Sequence, residues 1–174
     1  DEDREAIKEV EKLLRDNERV ARRLDEEVKE LLDEMRRRSE EMDRELERLL
    51  EEAKRLADKG TREELVKELE KRLDESHDRH RKLVEELEER LERSIEELRK
   101  HLDDSRRRLK ELEDRVDKVE ELKEVLREVD KRSKELLKHH KRRIEEVRKR
   151  VRELNKHHED VIRKIKKKVR EDRK

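Results

Sequence analysis

Apolar side chains recur along the first third of the chain at Ile7, Val10, Leu14, Ala21, Leu24, Val28, Leu31 and Met35, then Met42, Leu46, Leu49, Ala53 and Leu56. Steps of three and four residues place them on one narrow helical face. A second stretch runs through Val66, Leu69, Leu73, Leu83, Leu87, Leu91, Leu98, Leu109 and Leu112. A third runs through Leu122, Leu126, Val129, Leu136, Ile144, Val147, Val151, Leu154, Val161, Ile165 and Val169. Each seam is widened by flanking residues such as Leu13, Val20, Leu32, Leu50, Val84, Ile95, Leu102, Leu137 and Ile162. The pattern predicts long helices that share one coiled-coil-like core.

Two turns divide the pattern. Within ADKGTREEL, Gly60 is expected to take a left-handed C-terminal cap, and Thr61 with Glu64 to form a capping box for the next helix. A chain of 174 residues with its first break near 58 calls for a second break near 115–118, where Asp117 and Glu120 could cap. The expected architecture is all-α: one up-down-up three-helix domain over 1–174, rod-like, with helices at about 2–58, 61–115 and 118–173.

Polar residues interrupt the seam at Asn17, Ser39, Ser76, His80, Ser94, His101, Ser105, Ser133, His140 and His158. Turns centred near 59.5 and 117 put residue p of the first helix level with 119 − p on the second and 115 + p on the third. Asn17 then comes level with His101 and Ser133, and Ser39 with His80 and the surroundings of Asn155. His140 falls opposite Ser94, and His158 opposite Ser76. Four coincidences from one topology support the second turn better than its local sequence does.

Composition decides what surrounds the seam. Asp, Glu, Lys and Arg make up 63% of the chain, against about a quarter in an ordinary globular domain. The apolar 28% is close to two positions per heptad, so the charge is the solvated outside of the helices rather than a sign of disorder. Aromatic residues, Pro and Cys are absent, which removes disulfides, thiol chemistry and most strand signals. No signal-peptide pattern or membrane-spanning apolar run is present. The zero net charge conceals a partition: residues 1–58 carry 15 bases and 22 acids (−7), 61–116 carry 16 and 19 (−3), and 117–174 carry 23 and 14 (+9). With Lys59 these return to zero. Such asymmetry favours defined pairing through flanking charges.

The histidines are the candidates for chemistry. His77, His80, His157 and His158 fall at similar heights and are the low-ranked candidates for a metal. Carboxylates and Cys are missing from the seam, which counts against that reading. A hydrogen-bond network of Asn17, Ser39, Ser76, His80, Ser94, His101, Ser133, His140, Asn155 and His158 is expected instead, with register as its product. His139 and His157 sit one step off the seam. The basic stretch VIRKIKKKVREDRK could contact phosphate, but without stacking aromatics a solvated face is expected there. The expectation is therefore a structural protein with no catalysis, cofactor, nucleic acid, membrane or small-molecule substrate. It is expected to be monomeric, with self-association as the alternative. Burial should depress the histidine pKa values, so acid would loosen the fold.

The seam of Leu, Val and Ile, the DKGT connection, the Glu/Asp/Lys/Arg surface and the discrete Ser/Asn/His layers resemble a de novo designed helical bundle with buried hydrogen-bond networks that include histidine. The resemblance spans the whole chain and is one of style, without a signature motif. The second turn departs from it by lacking Gly or Pro. The resemblance implies a scaffold, and, for members with buried histidine, a pH-responsive assembly.

Overall fold

Three 3-4 seams with no proline leave the backbone no reason to leave the helix between turns. The computed structural model describes residues 2–55, 59–115 and 120–172, all helical. They form α1 (Glu2–Arg55), α2 (Lys59–Arg115) and α3 (Glu120–Asp172). Glu2, Asp3 and Glu5 in the first turn of α1, and Lys54 and Arg55 in its last, complement the helix dipole. Arg115 and Arg170 do the same at the C-terminal ends of α2 and α3.

The first turn differs from the sequence expectation. Gly60 is the second residue of α2, and no described residue has positive φ, so Gly60 is no left-handed cap. Thr61 likewise falls inside α2 rather than before it, which removes the Thr61–Glu64 capping box. The physical reason is permissive. The first amides of a helix have no intrahelical acceptor, so a Gly there costs the helix only its own backbone entropy. The expected end of the first helix at 58 and the cap at Asp117 lie outside the described residues.

The chain divides into two compact units. The first comprises Asp1–Lys29 and Glu89–Glu146. At one end of its core, Ala6 and Val10 of α1 pack with Leu109 and Leu112 of α2 and with Leu122, Leu126 and Val129 of α3. A separate cluster of Ala21, Leu24, Leu98 and Leu102 follows. The second unit comprises Glu30–Glu88 and Val147–Lys174. There Leu46 and Leu50 pack with Val66, Leu69 and Leu73 and with Ile162, Ile165 and Val169.

In each unit the α1 segment pairs with the matching stretch of α3 in the same direction, and α2 runs against both. The fold is a three-helix bundle of up-down-up topology, as the seam predicts. Each fully buried Leu or Val stabilises it by about 1.5–3 kcal/mol relative to exposure. Among the described residues no large apolar side chain is exposed. In the first unit the polar layer of Asn17, Ser105 and Ser133 falls between its two apolar clusters.

Candidate functional site: serine–histidine chains across three helices

Residues spaced three or four apart on one helix share a face, so two polar positions in one seam stack into adjacent layers. In the second unit Ser39 and Asp43 do this on α1, Ser76 and His80 on α2, and Asn155 and His158 on α3. The side chains join into two chains. Asp43 accepts from His158 Nδ1 at 2.6 Å, and His158 Nε2 meets Ser76 Oγ at 3.3 Å. His80 Nδ1 meets Asn155 Oδ1 at 3.0 Å, and its Nε2 meets Ser39 Oγ at 3.1 Å. The two rings stack, with centroids 4.3 Å apart and planes within 9° of parallel.

The first unit repeats the motif once. Asp25 Oδ1 lies 2.7 Å from His140 Nδ1, and Ser94 Oγ lies 2.8 Å from His140 Nε2. A fourth polar layer has no histidine: Asn17 Nδ2 donates to Ser105 Oγ at 3.0 Å and to Ser133 Oγ at 3.4 Å. Each of the four groupings takes one residue from each helix.

The partners fix the protons. A carboxylate can only accept, so the Nδ1 of His140 and of His158 carries the hydrogen, and each Nε2 accepts from a serine hydroxyl. The Asn155 amide nitrogen donates to Glu159 Oε1 at 3.4 Å, which turns the amide oxygen toward His80. His80 therefore also carries hydrogen on Nδ1 and accepts from Ser39. In the neutral form all three imidazoles are donor–acceptor links of one polarity.

This order of groups is that of an activated serine. Here, however, the hydroxyls of Ser39, Ser76 and Ser94 belong to residues 1–7% exposed, inside helices whose amides are committed to the backbone ladder. What the arrangement does directly is satisfy buried polar atoms while linking three helices.

Electrostatics separate the rings. Burial pushes the His80 pKa down to about 4, and the neighbouring His158 adds to the effect. The Asn155 hydrogen bond and the Asp43 charge oppose the shift, while His77 slightly reinforces it. Asp43 also lies 3.8 Å from His157 Nε2, and Asp25 lies 3.9 Å from Arg143 Nε.

Asn17 Oδ1 is buried without a hydrogen-bond partner, alone in this among the described buried side-chain polar atoms. Such an atom costs about 1–3 kcal/mol.

Several sequence expectations shift. His101 is half-buried, and Ser105, one turn further on, meets Asn17 instead. The α2 seam takes a four-residue step from Leu98 to Leu102, both buried, which leaves His101 on the flank. The four histidines considered for a metal do not converge. His80 and His158 are buried with both ring nitrogens engaged, whereas His77 and His157 are exposed, as is His139. No group of three or more His, Cys, Asp or Glu is placed to hold a metal among the described residues.

Asp25 and Asp43, against the expectation of a seam without carboxylates, are the residues that sequence reasoning missed. Their side chains are only 15% and 12% exposed. The level rule itself could have found them, since it sets residue 25 beside 140 and residue 43 beside 158.

On the basic end of α3, Lys166 pairs with Asp74 at 3.2 Å and Arg163 with Asp160 at 3.4 Å. No described helix is long and apolar enough to cross a membrane.

No family model and no curated protein matches the chain. Among solved structures it is similar to a computationally designed three-helix bundle at 19% sequence identity and a TM-score of 0.49. The match covers 97% of this chain and 81% of that one.

Proposed function

We propose that the chain is a structural scaffold whose buried polar layers set helix register, with no catalysis of its own. The observation that carries this reading is that every layer draws one residue from each helix. Sliding any helix by a heptad would set imidazoles and carboxylates against leucine, and each stranded polar group would cost about 1–3 kcal/mol. Apolar layers carry no such penalty, because one Leu accepts another. The stylistic resemblance to designed bundles with hydrogen-bond networks agrees with this role. That no large apolar side chain is exposed among the described residues favours a monomer, which light scattering would check.

The cysteine-free chain allows a direct test with spin labels on exposed Glu41 and Asp78, level on α1 and α2. The parent should give one narrow distance. A variant with the Ser–His–Asp and Ser–His–Asn residues replaced by Leu, Val and Ala should melt higher and give several distances. A single unchanged distance in that variant would sink the register reading.

A second reading is favoured by the stacked pair. Burial that holds the His80 ring neutral makes the bundle acid-sensitive, and it loosens as protons enter the stacked pair. Circular dichroism between pH 7 and pH 4 reads this directly. A melt unchanged over that range rejects it.

A further inference from the structure

The two units hold their imidazoles in unequal company. In the first, a single buried ring, His140, faces a half-buried carboxylate, Asp25. Its other neighbours are the neutral Ser94 on α2 and, beyond the carboxylate, Arg143 of α3, 3.9 Å from Asp25 and 35% exposed. A proton arriving on His140 Nε2 forms an ion pair through Nδ1 with Asp25. The Ser94 hydroxyl, a free rotor, turns from donor to acceptor, so both hydrogen bonds survive. Its hydrogen can then be directed to a carbonyl one turn back on α2. The layer ends with no uncompensated charge.

In the second unit two rings share one carboxylate. Asp43 reaches His158 but not His80, whose Nδ1 partner is the neutral Asn155 amide. The surrounding charges do not make up the difference. From α1 the charge that acts on His80 is that of Asp43. From α2 the layer receives His77, and from α3 His157, both exposed and neither bringing a negative charge. Glu159 of α3 is engaged by the far side of Asn155. One proton can be accommodated as an Asp43–His158 ion pair. A second places two imidazolium rings face to face, centroids 4.3 Å apart, with only the Asp43 carboxylate, at the edge of His158, hydrogen-bonded to either ring. That leaves a buried positive charge with nothing to neutralise it, which low-dielectric surroundings do not tolerate.

We infer that acid opens the chain in a fixed order: the second unit unfolds at the His80–His158 stack while the first unit stays closed around Asp25, His140 and Ser94. The inference rests on the acid-sensitive reading above and adds where the sensitivity lies. Partial opening of this kind is ordinary for proteins, whose segments unfold locally at free energies below the global one. The layer without histidine, Asn17–Ser105–Ser133, lies in the first unit and has no group that titrates between pH 7 and pH 4.

Hydrogen exchange followed by mass spectrometry on the full chain between pH 7 and pH 4 tests the order. Protection factors, which divide out the intrinsic pH dependence of exchange, should fall about 100-fold in 30–55, 66–88 and 147–169. Those of 6–29, 89–112 and 122–146 should hold. His80→Asn should retain protection in the second unit at pH 4, with His80→Leu as a second variant free of any polar demand. Asp25→Asn should make the first unit acid-sensitive too. Simultaneous loss in both units of the parent, or loss in the first unit before the second, would overturn the order while leaving acid sensitivity intact. Full protection of both units at pH 4 would overturn both.

Discussion

His80 and His158 lie face to face in the core, their planes 9° from parallel, and each ring has both nitrogens engaged by residues of other helices. Two neutral rings can share this space because each supplies one donor and one acceptor. The pH behaviour of the bundle follows from how much proton uptake upsets that balance.

The folded-state pKa of His80, about 4, lies below its unfolded value near 6.5. The unfolded chain therefore binds the proton first, and stability falls as pH drops from about 6.5 to 4. Its contribution is complete above that window, and the slope vanishes below it. The loss should reach about 3 kcal/mol. Guanidinium midpoints at pH 7, 5.5 and 4 would show it as a steady decline, flattened in His80→Asn.

Asp43 accepts a charge-assisted hydrogen bond in a nearly buried position. Asp43→Ala should cost about 1.5–3 kcal/mol at neutral pH. Asp43→Asn, which keeps an acceptor oxygen, should cost less. A double-mutant cycle with His158→Ala should yield a coupling above ~0.5 kcal/mol. Additive losses would mean that the contact carries no energy.

The Asn17 layer should be replaceable at a profit in stability. Asn17→Leu combined with Ser105→Ala and Ser133→Ala removes the orphaned amide oxygen together with both of its neighbours. Urea titration is expected to show a gain of about 1–4 kcal/mol. A loss would indicate that an ordered water satisfies Asn17 Oδ1.

Gly60 occupies a helical position, so Gly60→Ala should stabilise by about 0.4–1 kcal/mol. A left-handed cap would give the opposite sign. Thermal melts of the two proteins distinguish the cases.

The topology was legible because a 3-4 apolar seam and a level rule are both consequences of helical geometry alone. The pairing of Ser94 with His140 and of Ser76 with His158 follows from it directly. Asp25 and Asp43 were hidden for a different reason. In a chain with 55 acids, a carboxylate at the seam edge has no compositional contrast with the surface. His101 and Ser105 both fit the periodicity, and only the phase of packing, set by Leu98 and Leu102, chooses between them. Gly60 was misplaced because a glycine near a turn suits either the end of one helix or the start of the next.

Because each polar layer is completed only when all three helices contribute, the bundle behaves as a three-input gate. Cut at its two connections into separate peptides, any two helices would present a half-made layer, with a hydroxyl, ring or carboxylate facing empty space. Binary complexes are disfavoured for that reason, and assembly should proceed as a single ternary event. The same four layers that link the three helices within one chain would make the three pieces recognise one another only as a complete set.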